Sequence, residues 1–322
     1  MAVSHALKRL IERQYFVLVE HLADAMEEGA EEALHRCRVS TRRLRAVLSL
    51  CRNEILWSSA RSAGRRARIL GRLCGPVREL DVALELLDEL AGQGLVKSAA
   101  FGRIRQSIRE EQMRQRRRLA GKVGQSTRRK IGRAIEDVTD VMTVIGTDRE
   151  WVEELARHIT RRAGRLRRLV GAAGSLYVSE RVHAVRIEAK KLRYMFEIAS
   201  ETGEAKCLSA VTHLKKVQQV LGRLHDLEVL QGLMRSIERP TEPHQMWFRQ
   251  LEFFDGEIEG ECRRLHSYFV AEQQEILRVC DDADEFTNRI LDGTGKELLK
   301  ISGRPIKMTP EIPVKFRVSR QR

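Results

Sequence analysis

The sequence predicts an all-α protein built from two related helical halves. Residues that favour helices, chiefly Ala, Leu, Arg, Glu and Lys, dominate the chain, and only six prolines interrupt its 322 residues. Apolar residues recur at helical spacing almost throughout, and no alternating strand pattern stands out before the C-terminal residues. A basic pattern near residue 35 returns near residue 183. These observations together indicate helical bundles that arose by internal duplication.

The individual helices follow from caps and breaks. Ser4 is a suitable N-cap for the first helix, and Gly29 ends it. Segments rich in Gly and Pro separate the later helices. These are predicted over residues 30–52, 58–74, 77–91, 98–121, 126–145, 148–171, 178–200, 206–222, 224–237 and 243–279.

The predicted helices fall into three regions. The helical pattern fails from about residue 292, where glycines, prolines and basic residues follow one another without a helical face. We therefore expect an N-terminal helical half over residues 1–146 and a C-terminal helical half over 147–280. Residues 281–322 are expected to form a tail that is partly extended or disordered.

Two segments carry the same basic stripe. LHRCRVSTRRLRAVLS (34–49) and VHAVRIEAKKLRYMFE (182–197) each place a histidine and three cations at spacings of three, four and three. Such spacing puts all four side chains on one side of a helix, where like charges repel. Matching positions are 148 residues apart, as from His35 to His183. The other matched pairs are Arg38 with Arg186, Arg42 with Lys190, and Arg45 with Arg193.

A second motif follows the stripe in both halves. LCGPVRELDV (73–82) matches VLGRLHDLEV (220–229) at a separation of 147 residues, which aligns Arg78 with His225. Arg68 aligns with Lys215 at the same separation. Two motifs repeated in the same order predict a duplicated fold whose halves face each other across a pseudo-twofold axis.

The positive charge is concentrated in a few segments. The net charge is +14, and a surplus of this size favours an anionic partner. Residues 36–72 hold eleven arginines and one acid, whereas residues 155–172 hold six arginines and no acid. The latter segment includes Arg161 and Arg165 in a one-sided stripe, and residues 103–133 form a third basic segment.

The duplicated stripe lies beside the apolar face of its helix. Arg38 and Arg45 are about 100° around the helix from the stripe that contains Cys37 and Leu44. Residues in such positions line grooves between neighbouring helices, so two facing halves predict a basic central cavity. The alternative is a set of solvated helix faces, which is the usual place of charge runs.

The residue types favour a ligand made of phosphate. Arginine supplies planar paired donors that match phosphate oxygens, and lysine adds a mobile charge. Aromatic residues make up only 5% of the chain and are nearly absent from the basic segments. Single-strand nucleic-acid binders use such rings for base stacking. A nucleic-acid-binding protein remains an alternative, as does a scaffold that docks acidic proteins on its basic faces.

The sequence gives little support to catalysis. It contains no GxxxxGK[ST], HExxH or GxSxG motif, and its six cysteines include no CxxC pair. A metal-dependent phosphohydrolase at His225 and Asp226 is a further alternative, although Arg78 and Glu79 occupy these positions in the first half and arginine does not ligate metals. We expect no enzymatic activity, metal or cofactor. With no apolar run long enough to span a membrane and no secretory signal, the expected location is the cytoplasm.

The two motifs resemble those of the CHAD family, the conserved-histidine α-helical domain. The family pattern H-x-x-R-x-x-x-[RK]-x-L-R is matched by HRCRVSTRRLR (35–45) and by the segment from His183, and its L-G-x-[VAL]-[RHN]-[DE] pattern by residues 74–80 and 221–227. Cys74 and Glu79 depart mildly from the usual residues. The resemblance covers about residues 4–280, and the ExExK signature of an attached triphosphate-tunnel domain is missing.

The resemblance implies a fold and a ligand. The fold would be two four-helix bundles around a basic central cavity, and the ligand inorganic polyphosphate, often on polyphosphate granules. The resemblance and the basic stripes together predict the following contacts: His35, Arg38, Arg42, Arg45, Arg68, Arg78, Arg161, Arg165, His183, Arg186, Lys190, Arg193, Lys215 and His225.

Overall fold

The computed structural model describes residues 6–26, 31–52, 54–145, 150–200, 205–237 and 246–291. Every regular element in these residues is a helix, which confirms the all-α prediction. The helices are α1 (Ala6–Asp24), α2 (Glu31–Leu48), α3 (Glu54–Gly92), α4 (Ser98–Lys122), α5 (Gln125–Ile145), α6 (Glu150–Ala173), α7 (Ser179–Ala199), α8 (Ala205–Arg235) and α9 (Met246–Leu291).

The helices form two packed groups. In the first group α2 packs between α1 and α3, while α4 and α5 both pack on α3 and α5 also reaches α1. In the second group each of α6, α7, α8 and α9 packs against two others in a closed four-helix arrangement. The first group therefore has five helices, where four were expected. The predicted boundary at residues 146 and 147 lies outside the described residues.

Helices with matching motifs meet between the two groups. The first motif lies on α2 and α7, and these two helices contact each other. The second motif lies on α3 and α8, which also contact each other, and α4 meets α9. Contact between equivalent helices is what a pseudo-twofold axis requires, so the arrangement is compatible with the predicted duplication.

Two predicted helix breaks do not occur. The helix α3 continues through Pro76, and α8 continues through Gly222. Cys74 and Val77, on either side of the proline, are fully buried. Burial of the apolar face offsets the backbone hydrogen bond that a proline removes, so tertiary packing overrides the local break signal.

The last helix extends into the predicted tail. The helix α9 ends at Leu291, so residues 281–291 are helical and the predicted tail starts too early. Cys280, Ala283 and Phe286 continue its buried face, and the Phe286 ring lies 6.5 Å from that of Phe196 on α7. Residues 292–322 lie outside the described part of the chain.

The cysteines belong to this apolar interior. All six are buried and form no disulfide. Burial raises the pKa of Cys51 to about 12, and burial is also the main cause that raises the pKa of Cys280 to about 12. Such thiols stay protonated and act as packing residues. Among the described helices, none is both long and apolar enough to cross a membrane.

Candidate anion-binding site

Three arginines from the two groups come together where α2 meets α7. Arg38 and Arg42 project from α2 and Arg186 from α7, and all three side chains are partly buried. The pKa of Arg38 is lowered to about 10, first by burial, then by the charge of Arg42, with Arg186 acting in the same direction. Burial also lowers the pKa of Arg186, and the charge of Arg42 adds to this effect. The two helical groups thus share one concentration of positive charge.

Acidic residues of the second motif hold these arginines in place. Arg38 Nη2 donates to Glu79 Oε1 on α3 at 3.2 Å. Asp226, which aligns with Glu79, lies on α8 in the field of Arg186. Burial raises the pKa of Asp226, while the charges of Arg186, His225 and Lys190 act against that rise. Glu79 therefore orients Arg38 through a hydrogen bond, whereas Asp226 places a negative charge in the field of Arg186.

Further cations extend the shared charge along α2 and α3. Burial lowers the pKa of Arg45, and the charges of Arg68, Arg42 and Arg72 lower it further. Arg72 was not predicted, although it lies one helical turn after Arg68 and so faces the same way. We call the set Arg38, Arg42, Arg45, Arg68, Arg72, Arg186 and Lys190 the central cluster.

Two histidines lie at the edge of the central cluster. The rings of His183 on α7 and His225 on α8 are 4.9 Å apart. Burial lowers the pKa of His183, and the charges of His225 and Arg186 act in the same direction. His225 Nδ1 lies 3.8 Å from Glu228 Oε2, and the Tyr177 hydroxyl donates to Glu228 Oε1 at 2.7 Å. His183 of the first motif and His225 of the second thus place two imidazole rings beside fixed positive charges.

Three other predicted contacts lie near the same helices. Arg78 Nη1 donates to Glu85 Oε1 at 3.0 Å, and its charge also acts on the buried Asp81. His35 on α2 and Lys215 on α8 are half-buried.

Arg193 has a different role from the one predicted. Its side chain is only 3% exposed, and its Nε lies 3.6 Å from Glu197 Oε1. Arg43 on α2 lies 3.5 Å from Glu197 Oε2, so this carboxylate joins the two groups. The residue that aligns with Glu197 in the first half is Ser49. Arg45 therefore keeps its place among cations, whereas Arg193 is drawn into a buried ion pair.

Arg161 and Arg165 on α6 are tied to buried acids. Arg165 Nε lies 3.6 Å from Glu188 Oε2, and Arg161 Nη2 lies 4.0 Å from Glu154 Oε1. Glu188 also accepts from Arg162 Nη1 at 2.8 Å. Both arginines are exposed, but their ion pairs differ from those of the central cluster. The stripe on α6 could not reveal the pairing of Arg165, because Glu188 belongs to α7, whereas Glu154 lies on α6 itself, two turns before Arg161.

The residues proposed for a metal site face different partners. His225 lies against His183 and Glu228, whereas the Asp226 carboxylate lies in the field of Arg186. Among the described residues, no group of three or more His, Cys, Asp or Glu side chains is arranged to hold a metal ion. The pair therefore orients charge near the central cluster.

The family model of the CHAD domain matches residues 9–235. The chain belongs to the CHAD family. This match includes both copies of both motifs, and hence every residue of the central cluster. No curated protein matches the sequence of this CHAD protein.

Two solved structures share the fold. The crystal structure of the CHAD domain from the plant Ricinus communis aligns with a TM-score of 0.62 at 17% identity, covering 87% of this chain and 92% of that chain. PptA from Streptomyces chartreusis aligns with a TM-score of 0.58 at 15% identity, covering 85% of this chain and all of that one. The fold of this CHAD protein is thus found in chains of very different sequence.

Neutralising one arginine of the central cluster should stabilise the unliganded protein. Arg42 acts on Arg38, Arg45 and Arg186, and relief of three such repulsions is worth about 1 kcal/mol at low salt. We expect Arg42→Gln to raise the free energy of unfolding by that amount, measured by urea denaturation. The gain should shrink in 1 M salt because screening weakens the repulsion.

The matched control for this prediction is Arg36→Gln. Arg36 lies on the same helix but is exposed and paired with Glu32 at 2.8 Å. Its loss should lower stability by a few tenths of a kcal/mol at most. If Arg42→Gln proves less stable than this control, Arg42 is not held against like charge and the description of the cluster is wrong.

Proposed function

We propose that this CHAD protein binds inorganic polyphosphate at the central cluster and does not transform it. The observation that carries the proposal is the meeting of Arg38, Arg42 and Arg186, from both helical groups, in one partly buried region. Burial and mutual repulsion act together on these guanidinium groups. An anion from solution would offset both costs, because it replaces lost water and cancels charge.

The arrangement suits a linear polymer of phosphate. Guanidinium groups bind phosphate oxygens with paired, planar hydrogen bonds. The cluster runs from Arg186 through Arg42 to Arg45 and Arg68, so it can contact successive units of one chain. Glu79 keeps Arg38 oriented before the ligand arrives, and the charge of Asp226 partly balances that of Arg186.

The aromatic residues near the cluster favour polyphosphate over nucleic acid. Tyr194 is only 6% exposed, and the ring of Tyr177 packs 5.2 Å from that of His266. Tyr194 is thus not accessible to a base, and the ring of Tyr177 already packs on another side chain. Polyphosphate has no bases and therefore needs no stacking surface on the protein. Binding of this kind would place the protein on polyphosphate granules in the cytoplasm.

A charge reversal at two aligned positions should abolish binding. We expect Arg42→Glu combined with Lys190→Glu to weaken binding of long-chain polyphosphate at least a hundredfold, because repulsion replaces attraction in both halves. Binding is measured by calorimetry, and helix content by circular dichroism should stay unchanged. The same titrations with single-stranded and duplex nucleic acid reveal whether those polymers compete at near-physiological salt.

The control carries the same change of net charge outside the cluster. Arg36 and Arg278 are exposed and paired with acids on their own helices, so Arg36→Glu with Arg278→Glu should retain most of the affinity. Equal loss in both double variants, or full binding by the cluster variant, would contradict the proposed site. Displacement of polyphosphate by nucleic acid, but not the reverse, would favour the nucleic-acid alternative.

Binding of polyphosphate should take up protons below neutral pH. Burial and neighbouring cations lower the pKa of His183, so in the free protein this group stays neutral to a lower pH than an ordinary histidine. A bound polyanion favours the charged form and raises that pKa. Affinity should therefore increase as the pH falls from 8 to 6. Calorimetry in buffers of different ionisation enthalpy measures the proton uptake directly.

Two substitutions separate the histidine pair from the other histidines. We expect His183→Gln to reduce the proton uptake, whereas His213→Gln should leave it unchanged, since His213 Nδ1 lies 3.0 Å from its own helix carbonyl at Ser209. Affinity that does not change with pH, or equal effects of both substitutions, would show that the His183 and His225 pair does not face the ligand.

A further inference from the structure

A second basic surface lies outside the central cluster, on α4 and α5. Together these helices carry twelve Lys and Arg against five Asp and Glu, which gives them a strong positive excess. The exposed members between the middle of α4 and the first turns of α5 are called the outer row. They are Arg114, Arg117, Arg118, Lys122, Arg129, Lys130 and Arg133.

Most of the outer row has no acidic partner. Within the described ranges, which include α4 and α5, no ion pair is formed by four of its members: Arg117, Lys122, Lys130 and Arg133. Arg114 is paired with Glu111 on its own helix. Four cationic side chains therefore stand in solvent on the exposed faces of α4 and α5.

The corresponding helix of the second group has the opposite charge. The helix α9 packs on α8 and α6 much as α4 and α5 pack on α3 and α1. It carries eleven Asp and Glu against five Arg, and its exposed arginines at 263, 264 and 278 are paired with nearby acids. A positive outer layer is therefore not a general property of this fold, nor of an arginine-rich chain.

The helix that carries the first part of the outer row is tied to the helices that carry most of the central cluster. Arg116 on α4 turns inward, and its Nη2 lies 3.4 Å from Glu31 at the start of α2 and 3.2 Å from Asp81 on α3. Glu31 precedes Arg38 of the cluster by two helical turns. From Arg116 to Lys122 the helix advances only about 9 Å. A long linear ligand could therefore reach both regions.

We propose that the outer row is a second binding segment for the same linear polyphosphate. This inference rests on the proposed function. Chains long enough to leave the central cluster continue along α4 and onto α5, which follow each other along α3. No Phe, Tyr or Trp occurs from Arg114 to Arg133, so the row offers charge without stacking surfaces. The second contact is intramolecular once the first has formed, so long chains bind more tightly than short ones.

The test compares short and long ligands in one variant. The variant carries Arg117→Gln, Lys122→Gln, Lys130→Gln and Arg133→Gln, all at exposed positions whose loss leaves the core intact. Tripolyphosphate, which reaches only the central cluster, should bind within twofold of the unaltered protein. Long-chain polyphosphate should bind at least tenfold more weakly. The slope of log affinity against log salt should fall in magnitude by about 3, at roughly 0.7 per lost contact.

The control removes four positive charges from the second helical group. Arg235, Arg263, Arg264 and Arg278 are exposed and paired with acids, and their replacement by Gln gives the same change of net charge. This control should keep the preference for long chains. Equal weakening in both variants would attribute the effect to net charge and overturn the inference.

The remaining outcomes are equally decisive. If the unaltered protein binds neither ligand, the proposed function itself fails. If it binds both but the outer-row variant keeps its affinity for long chains, or loses affinity for tripolyphosphate as well, only the outer row is wrongly assigned. Loss of nucleic-acid binding with unchanged polyphosphate binding would assign the row to nucleic acid and overturn the inference.

Discussion

The candidate binding site depends on like charges that the fold holds together between the two helical groups. Arg38, Arg42 and Arg186 lie in one another's field and out of full contact with water, an arrangement that lowers the pKa of Arg38 to about 10. Such an arrangement cannot stabilise the fold by itself. The apolar interiors of the two groups must supply the stability, and they bury residues such as Phe196, Phe254 and Phe286 almost completely. The cluster is therefore a site that the fold maintains at some cost, as binding sites commonly are.

The acids around the cluster determine which cations are free of a buried ion pair and can contact a ligand. Glu79 and Asp226 occupy aligned positions: Glu79 accepts a hydrogen bond from Arg38, and the charge of Asp226 acts on Arg186. Elsewhere the halves have diverged: Glu197 takes Arg193 into a buried pair, whereas Ser49 leaves Arg45 among the cations. The central cluster consequently draws more of its charge from the first group. The second group contributes the pair of His183 and His225 instead, and with it the proposed dependence of binding affinity on pH.

The sequence predicted the parts of the site that depend on one helix at a time. The duplicated stripe placed Arg38, Arg42 and Arg186 correctly on facing helices, because a stripe beside the apolar face must lie near a neighbouring helix. Pairing between different helices could not be predicted in this way. Glu188 on α7 pairs with Arg165 on α6 through a contact that no single stripe contains, so Arg165 was assigned to the ligand without a view of its partner. Glu154, in contrast, lies on α6 itself, two turns before Arg161, so the sequence did contain the signal for that pair. Likewise, Pro76 marks a break locally, but α3 continues through it because the residues on either side are packed in the core.

The most direct measurement is a crystal structure of the protein with tripolyphosphate bound. We expect phosphate groups between α2 and α7, with oxygens within hydrogen-bonding distance of the guanidinium groups of Arg38, Arg42 and Arg186. The two helical groups should keep the positions they have without ligand, because Arg38 is already oriented by Glu79 and the three arginines already lie together. Phosphate found only on outer helix faces, with the central cluster in contact with water alone, would contradict binding at the central cluster.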